Sequence, residues 1–369
     1  MSIRVTFSER DGEAFAADLK ERVGAYFASR HLSQKANAGM VLKTVIMWST
    51  VFVPYVLILA GGLPPLAMLA LCIVMGIGMA GVGFSVAHDA LHGAYSANPR
   101  VNAALGLSFD MLGANGYMWR LTHNVIHHTY TNIHGIDEDL EISPILRLSP
   151  HSKRLGIHRW QHLYAPLAYS LATLNWVFVK DFDQFLRRDL GPYQNKRHPA
   201  SQVATLVVMK LAYYLWTIAL PLLVLDIPLW QFAVGYVALH FTAGLILGVV
   251  FQLAHVVEQT EHPVPAAGGL MPYHWTIHEM LTTANFCNGN RLLTWYVGGL
   301  NHQIEHHLFP KTCSVHYPRI AVIVRELAAK HGVPYLHNPT LADAIGSHWR
   351  TLRTLGRPIE AAQAVAVAA

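Results

Sequence analysis

The sequence predicts an all-α integral membrane protein: four transmembrane helices in two hairpins, beneath a cytoplasmic helical cap. Three observations carry this reading. Of 369 residues, 53% are hydrophobic and only 13% charged, where a soluble domain carries about 25% charged; the mean hydropathy is +0.29. Four nearly uncharged runs, 44–60, 64–87, 202–225 and 227–254, approach the ~20 residues that a spanning helix needs. The cations, finally, are partitioned. Of 27 Lys and Arg, 7 fall in residues 1–43, 11 in 88–201 and 8 in 255–369, and the turns at Gly61-Gly62 and Asp226 hold none. The positive-inside rule then puts both termini and the middle segment in the cytoplasm.

In chain order, residues 1–39 are soluble in character. Phe15, Leu19, Val23 and Phe27 recur at helical spacing, which predicts a helix over 14–28 lying on the membrane surface. No basic n-region, short apolar core and cleavage site open the chain, so no cleaved signal peptide is expected. A four-span domain is expected over 40–358, its cap formed by 88–201 and 255–358. Residues 359–369 read as a low-complexity tail, and 314–330 as a helix of the cap.

The apolar run 163–179 is expected to lie at the interface. If it spanned, Lys180, Arg187, Arg188, Lys196 and Arg197 would leave the cytoplasm, against the charge rule. The run 103–119 is read the same way. Lys210, inside the third span, is expected to snorkel, and His240 in the fourth to be a hydrogen-bonded packing residue. Three cysteines with no C-x2-C pair suggest inert thiols, not a disulfide framework or zinc ribbon. The net charge of +5 suits a face near anionic lipid or a phosphate-bearing substrate and calls for no nucleic acid.

Histidine is over-used, at 23 residues. His88 and His92 form H-x3-H where the second span ends; His123, His127 and His128 form H-x3-H-H; Gln303, His306 and His307 form Q-x2-H-H. Residues four apart share a helix face. His88 and His92 are therefore expected to face one metal, as are His123 and His127, with His128 turned toward a second. His255 closes the fourth span at the same level. Eight imidazoles exceed what one metal takes and suit a di-metal centre in the cap. Imidazole accepts zinc, copper, iron or nickel. Orienting carboxylates are expected from Asp89 and Glu305 inside the motifs, and from Asp137, Glu138, Asp139, Glu258 and Glu261 close by. His302 is a further candidate beside the metals.

These stretches resemble the three histidine boxes of the membrane fatty acid desaturases. HNVIHHTYTNIHGIDEDL at 123–140 is similar to the second box, and GGLNHQIEHHLFP at 298–310 to the third box of the front-end subgroup, in which Gln replaces the first His. The likeness continues through 176–182, 282–286 and 316–335. It implies a four-span fold and two iron ions. With dioxygen and two external electrons, these remove two hydrogens from an acyl chain to give a cis double bond and water. The implied substrate is a fatty acyl group linked to CoA, a carrier protein or a lipid. No His-Pro-Gly-Gly haem loop occurs, so electrons are expected from a separate donor, cytochrome b5 or ferredoxin with its reductase. A bacterial inner membrane is the expected location. Gln303 is the family's Gln, here a candidate ligand only. The well-described acyl-CoA desaturases carry Asn four residues before the ligand matching His255; here Phe251 stands there, with Gln252 next to it. Tyr117, Trp119, Trp275, Trp295 and Tyr296 are candidate walls of an acyl channel.

Two other readings compete. A di-iron lipid or carotenoid hydroxylase shares the box spacing in outline. A histidine-rich metal carrier would place ionisable residues along several spans, whereas only Lys210 and His240 lie there.

Overall fold

The computed structural model describes residues 5–10, 12–140 and 143–358; the tail expected over 359–369 lies outside them. Among the described residues, four helices are long and apolar enough to cross a membrane: α2 (Ala38–Leu59), α3 (Pro65–Leu91), α8 (Ala200–Val224) and α9 (Leu229–His255). Their bounds overlap the four predicted runs, with α3 and α9 running on into His88 and His255. At 1.5 Å per residue, the 27 residues of α9 reach about 40 Å, beyond the ~30 Å apolar thickness of a bilayer. The surplus carries His255 out of the span region. Asn37 caps α2 by accepting from Met40 N–H at 3.0 Å, and Pro65 opens α3 at a position where its missing N–H costs nothing.

The remaining helices form the cap: α1 (Glu13–Ser29), α4 (Pro99–Met111), α5 (residues 116–130), α6 (Gln161–Ser170), α7 (residues 172–186), α10 (Trp275–Thr282), α11 (Arg291–Tyr296), α12 (Gln303–Leu308), α13 (Tyr317–His331) and α14 (Leu341–Leu355). Two-residue parallel pairings, Thr6–Phe7 with Leu270–Met271 and Asn285–Phe286 with His337–Asn338, tie its loops together.

Two expectations change, those for α1 and for Lys210. The α1 stripe Phe15, Leu19, Val23 and Phe27 is buried, but Ile320, Val324 and Leu327 of α13 cover it, not lipid. The run 163–179 breaks at Leu171 and packs along the His255 half of α9. There Gly244 and Gly248 admit Ser170 and Tyr169 so closely that a Cβ at Gly244 would meet the Ser170 carbonyl at 2.5 Å. Lys210 does not snorkel. It is buried, and its ammonium pairs with Asp181 at 2.8 Å and donates to the Gly113 and Trp176 carbonyls. It ties α8 to α7 and to the loop after α4. His240 is the packing residue expected, bonded to Tyr213 and Thr173.

Candidate metal centre

Local winding decides where the histidines point. The backbone turns π-helical over Gly83–Ala87, just before His88, and again over Arg120–His127. Bonds from i to i+5 widen the turn, a feature common at functional sites, and residues i and i+4 no longer lie one above the other. The third box is aimed by a glycine pair. Gly298 and Gly299 have φ of +63° and +71°, the left-handed region that favours glycine. A Cβ on Gly298 would lie 2.4 Å from the Phe84 carbonyl. The approach to α12 is thus pressed against the π turn that precedes His88.

The rings gather into two adjoining groups. Nitrogens of His88, His92, His123 and His306 lie within 4.8 Å of one another, as do those of His127, His255 and His307. His128 joins His306 and His307, with ring centroids 4.5 and 4.3 Å away, so it stands between the groups. All eight predicted histidines therefore converge, but the expected pairing of His123 with His127 does not hold. Their rings stack 4.9 Å apart and look toward different groups, because the π turn removes the i, i+4 alignment. They meet only on the Asp139 side.

Six rings are held at Nδ1. His123 and His127 each lie 2.9 Å from a carboxylate oxygen, of Asp139 and Asp137. His307 lies 2.6 Å from Glu279, His306 3.2 Å from the Tyr317 hydroxyl, and His88 and His255 3.4 Å from Asp89 and the Thr282 carbonyl. The opposite nitrogen, Nε2, is buried with no hydrogen-bond partner in His92, His123, His127, His128, His255, His306 and His307. Buried polar atoms are ordinarily satisfied. Seven such nitrogens converge in two adjoining groups, and five of their rings, those of His123, His127, His255, His306 and His307, are fixed from the far side in the way metal-ligating histidines are held. Burial pulls His92, His128, His306 and His307 well below the usual imidazole range, and His123 down to about 4. These rings are neutral and keep the lone pair that ligation needs. For His127 burial acts the same way, but the Asp137 carboxylate outweighs it and leaves the ring raised.

Asp137 and Asp139 orient histidines as expected. Asp89 does so weakly; its second oxygen accepts from Ser314 N–H and Oγ. Glu305 does not orient a ligand. On α12 it turns away from His306 and His307 and accepts from Asn285 and Tyr335, with burial raising it to about 7. Glu258 pairs with Arg350 on the surface, and the contacts of Glu138 and Glu261 run to Arg187 and, through a backbone carbonyl, to Asn132. His302 stands outside both groups and accepts from Asn288 at 2.8 Å. Sequence reasoning missed Glu279, Tyr317 and Thr131, whose hydroxyl donates to Glu279 at 3.0 Å. Its only signal was a lone acid within the apolar stretch WTIHEMLT. Asn132 joins the boxes: its backbone N–H donates to Asp137 and its amide to the carbonyls of His255, Glu261 and Thr282.

A cavity of about 120 Å³ opens onto His88, His123 and His306, walled by Phe84, Phe109, Trp119, Trp176, Phe251 and Leu300. Gln303 and Gln252 also line it, and neither polar atom of the Gln252 amide has a partner among the described residues. Phe251 sets its ring 5.2 Å from His127 and 5.0 Å from His255. Of the five wall candidates only Trp119 lies here. Tyr117 contacts His198, Trp275 donates to the His128 carbonyl, Tyr296 donates to the Ile77 carbonyl, and Trp295 lines a separate cleft.

Four apolar helices beneath a cap that buries eight converging histidines beside an aromatic-walled cavity fit a membrane enzyme whose histidines could hold metal. Residues 63–339 match the family model for fatty acid desaturase. The chain is 37% identical over 360 residues to the sn-1 linoleoyl-lipid 6-desaturase of Synechocystis sp., covering 96% of this chain and 98% of that one. It is 34% identical to the enzyme of the same name from Arthrospira platensis, with 95% of each covered. It is also 31% identical to the acyl-lipid (8-3)-desaturase of Physcomitrium patens, over 95% of this chain and 73% of that one. The chain belongs to the fatty acid desaturase family. It is an oxidoreductase of acyl chains, and the hydroxylase alternative is not favoured.

Proposed function

We propose that this enzyme forms a cis double bond in the acyl chain of a membrane lipid, using two irons, dioxygen and electrons from a separate protein. The observation that carries the metal assignment is the set of seven buried Nε2 atoms without a partner among the described residues, five of them on rings held at Nδ1. His88, His92, His123 and His306 would hold one iron, and His127, His255 and His307 the other, with His128 between them. Bound there, the iron pair supplies the activation of dioxygen that an unactivated methylene requires.

The chain's own residues do the rest. Asp139, Asp137 and Glu279 accept from Nδ1–H and keep the opposite nitrogen free for metal. Phe84, Trp119, Trp176 and Leu300 exclude water and press one stretch of acyl chain against the His88, His123 and His306 group. Gln303 and the unpaired Gln252 amide are polar groups on that wall, placed to accept or donate to a polar end of the substrate. Acyl-lipid is favoured over acyl-CoA because the relatives are named for acyl-lipid desaturation. The donor, cytochrome b5 or ferredoxin with its reductase, would dock on the cap at the cytoplasmic face of a bacterial inner membrane. Residues 1–39 and 40–358 then serve as N-terminal and catalytic units.

The test is expression in a host of simple fatty acid profile, with mass spectrometry of intact lipids and derivatisation to locate double bonds, beside a His307→Ala control. A new unsaturated lipid that appears before any unsaturated acyl-CoA, and is absent from the control, is the expected result. A hydroxylated product, or label that passes first through the CoA pool, contradicts the reading.

A further inference from the structure

Behind the turn that aims α12 lies a second polar site, separate from the histidine cavity. A cleft of about 620 Å³ opens between the start of α2, helix α11 and the start of α13. Its walls carry Lys43, Arg291 and Arg319 with the amides of Asn37 and Asn288, and no carboxylate. Lys43 decides its character. The side chain is 4% exposed and borders the cleft, and its ammonium lies 5.9 Å from the Trp295 ring centroid. Among the described residues it has no hydrogen bond and no ion pair, and neither has Arg291 or Arg319. Asp89, whose charge Lys43 feels, is already held by Ser314 and Cys313. A buried ammonium without an anion is costly.

The first turn of α2 adds to this field. Asn37 and Gly39 line the cleft, and the leading N–H groups of a 22-residue helix carry partial positive charge. Beside the cleft, Leu42 and Ile46 of α2, on the side of the helix that carries Gly39 and Lys43, and Leu292 of α11 are exposed apolar residues, and Trp295 is 37% exposed. An indole and a cation cluster at the end of an apolar helix mark the depth where lipid headgroups lie.

We infer that this cleft binds the phosphate-bearing headgroup of an acidic membrane phospholipid, with Lys43 as the buried anchor and Arg291 and Arg319 at the rim. Its acyl chains would lie along Leu42 and Ile46. The site holds whether or not the acyl-lipid reading of the substrate does, because it shares no lining residue with the acyl cavity.

The test uses the full-length protein, purified in nonionic detergent and stripped of lipid, with native mass spectrometry of added phosphatidylglycerol, phosphatidylcholine and inorganic phosphate. One phosphatidylglycerol per chain should bind at least tenfold tighter than phosphatidylcholine. Lys43→Met should remove that preference and Lys43→Arg restore it. Arg319→Gln, on the exposed rim, should weaken phosphatidylglycerol about fivefold, and carries the test if Lys43→Met does not fold. Equal binding of the two lipids by wild type, or an unchanged preference in both Lys43→Met and Arg319→Gln, overturns the inference. Binding of millimolar inorganic phosphate with no preference between lipids assigns the cleft to a free anion and overturns it equally.

Discussion

Glu279→Gln should strip metal from the centre while leaving the fold in place. The substitution keeps size and shape inside α10 and removes only the acid, which burial pushes well above the usual carboxylate range. In the native chain one carboxylate oxygen accepts two bonds, from His307 Nδ1 at 2.6 Å and from the Thr131 hydroxyl at 3.0 Å. The Thr131 hydroxyl shares its one proton with the His127 backbone carbonyl, 2.7 Å away, so Glu279 holds the His307 ring directly and sits against the backbone that carries His127. A Gln amide offers a single acceptor oxygen, and its NH2 would face a hydroxyl or an Nδ1–H. That oxygen, set where the native one stands, can still accept both bonds, but the imidazole loses the acid able to take up its Nδ1 proton and raise its basicity. Loss of such a partner typically weakens metal binding 10–100-fold, equivalent to about 1.4–2.8 kcal/mol. The assay is retention of iron against a graded chelator, with circular dichroism to confirm an unchanged helix content. Wild-type retention by a folded Glu279→Gln would refute the claim that this carboxylate holds His307 for a metal. Loss of helix content would instead make Glu279 a structural residue.

Two further outcomes follow from the same contacts. Lys210→Met leaves Asp181 buried beside the Gly113 and Trp176 carbonyls, and breaking a buried pair costs about 3–5 kcal/mol. Thermal unfolding in detergent should show a large drop in midpoint, most of it recovered in Lys210→Met/Asp181→Leu; an unchanged midpoint would return Lys210 to the snorkelling role. Burial holds His262, His278 and His348, none of them a candidate ligand, at about 4, against an ordinary value near 6.5. A histidine with a lowered folded value binds fewer protons folded than unfolded between those limits. Its contribution is fully present above pH ~6.5 and is lost as pH falls toward 4. Metal-free protein should therefore lose about 1 kcal/mol per such histidine per pH unit below 6.5, read as a falling unfolding midpoint from pH 7 to 5; a flat profile contradicts the neutral, buried state.

Much of this was legible because composition and spacing carry it. Lipid leaves little choice but uninterrupted apolar helices, so the four runs declare themselves, and the H-x3-H at the end of the second span marks where ligands emerge. Ring-by-ring grouping was not legible. It depends on a π turn over Arg120–His127, which no residue pattern announces and which sends His123 and His127 to different groups. Glu279 escaped for another reason. Its partner His307 is 28 residues away, and only the tertiary fold makes them neighbours. Lys210 was misread because a lysine near a span end can reach water or a buried acid, and the acid, Asp181, sits in a helix that the sequence placed at the interface. The stripe on α1 declared a helix with one apolar face, but whether lipid or α13 covers that face is a tertiary fact.

The most direct test of the two-metal account is a metal count by mass spectrometry on wild type, His88→Ala and His255→Ala, each purified under conditions that retain iron. Two irons per chain are expected in wild type, with each substitution depleting chiefly the group that it belongs to. A single iron per chain in active wild-type enzyme, unaffected by one of the two substitutions, would contradict the division of these eight histidines into two sites.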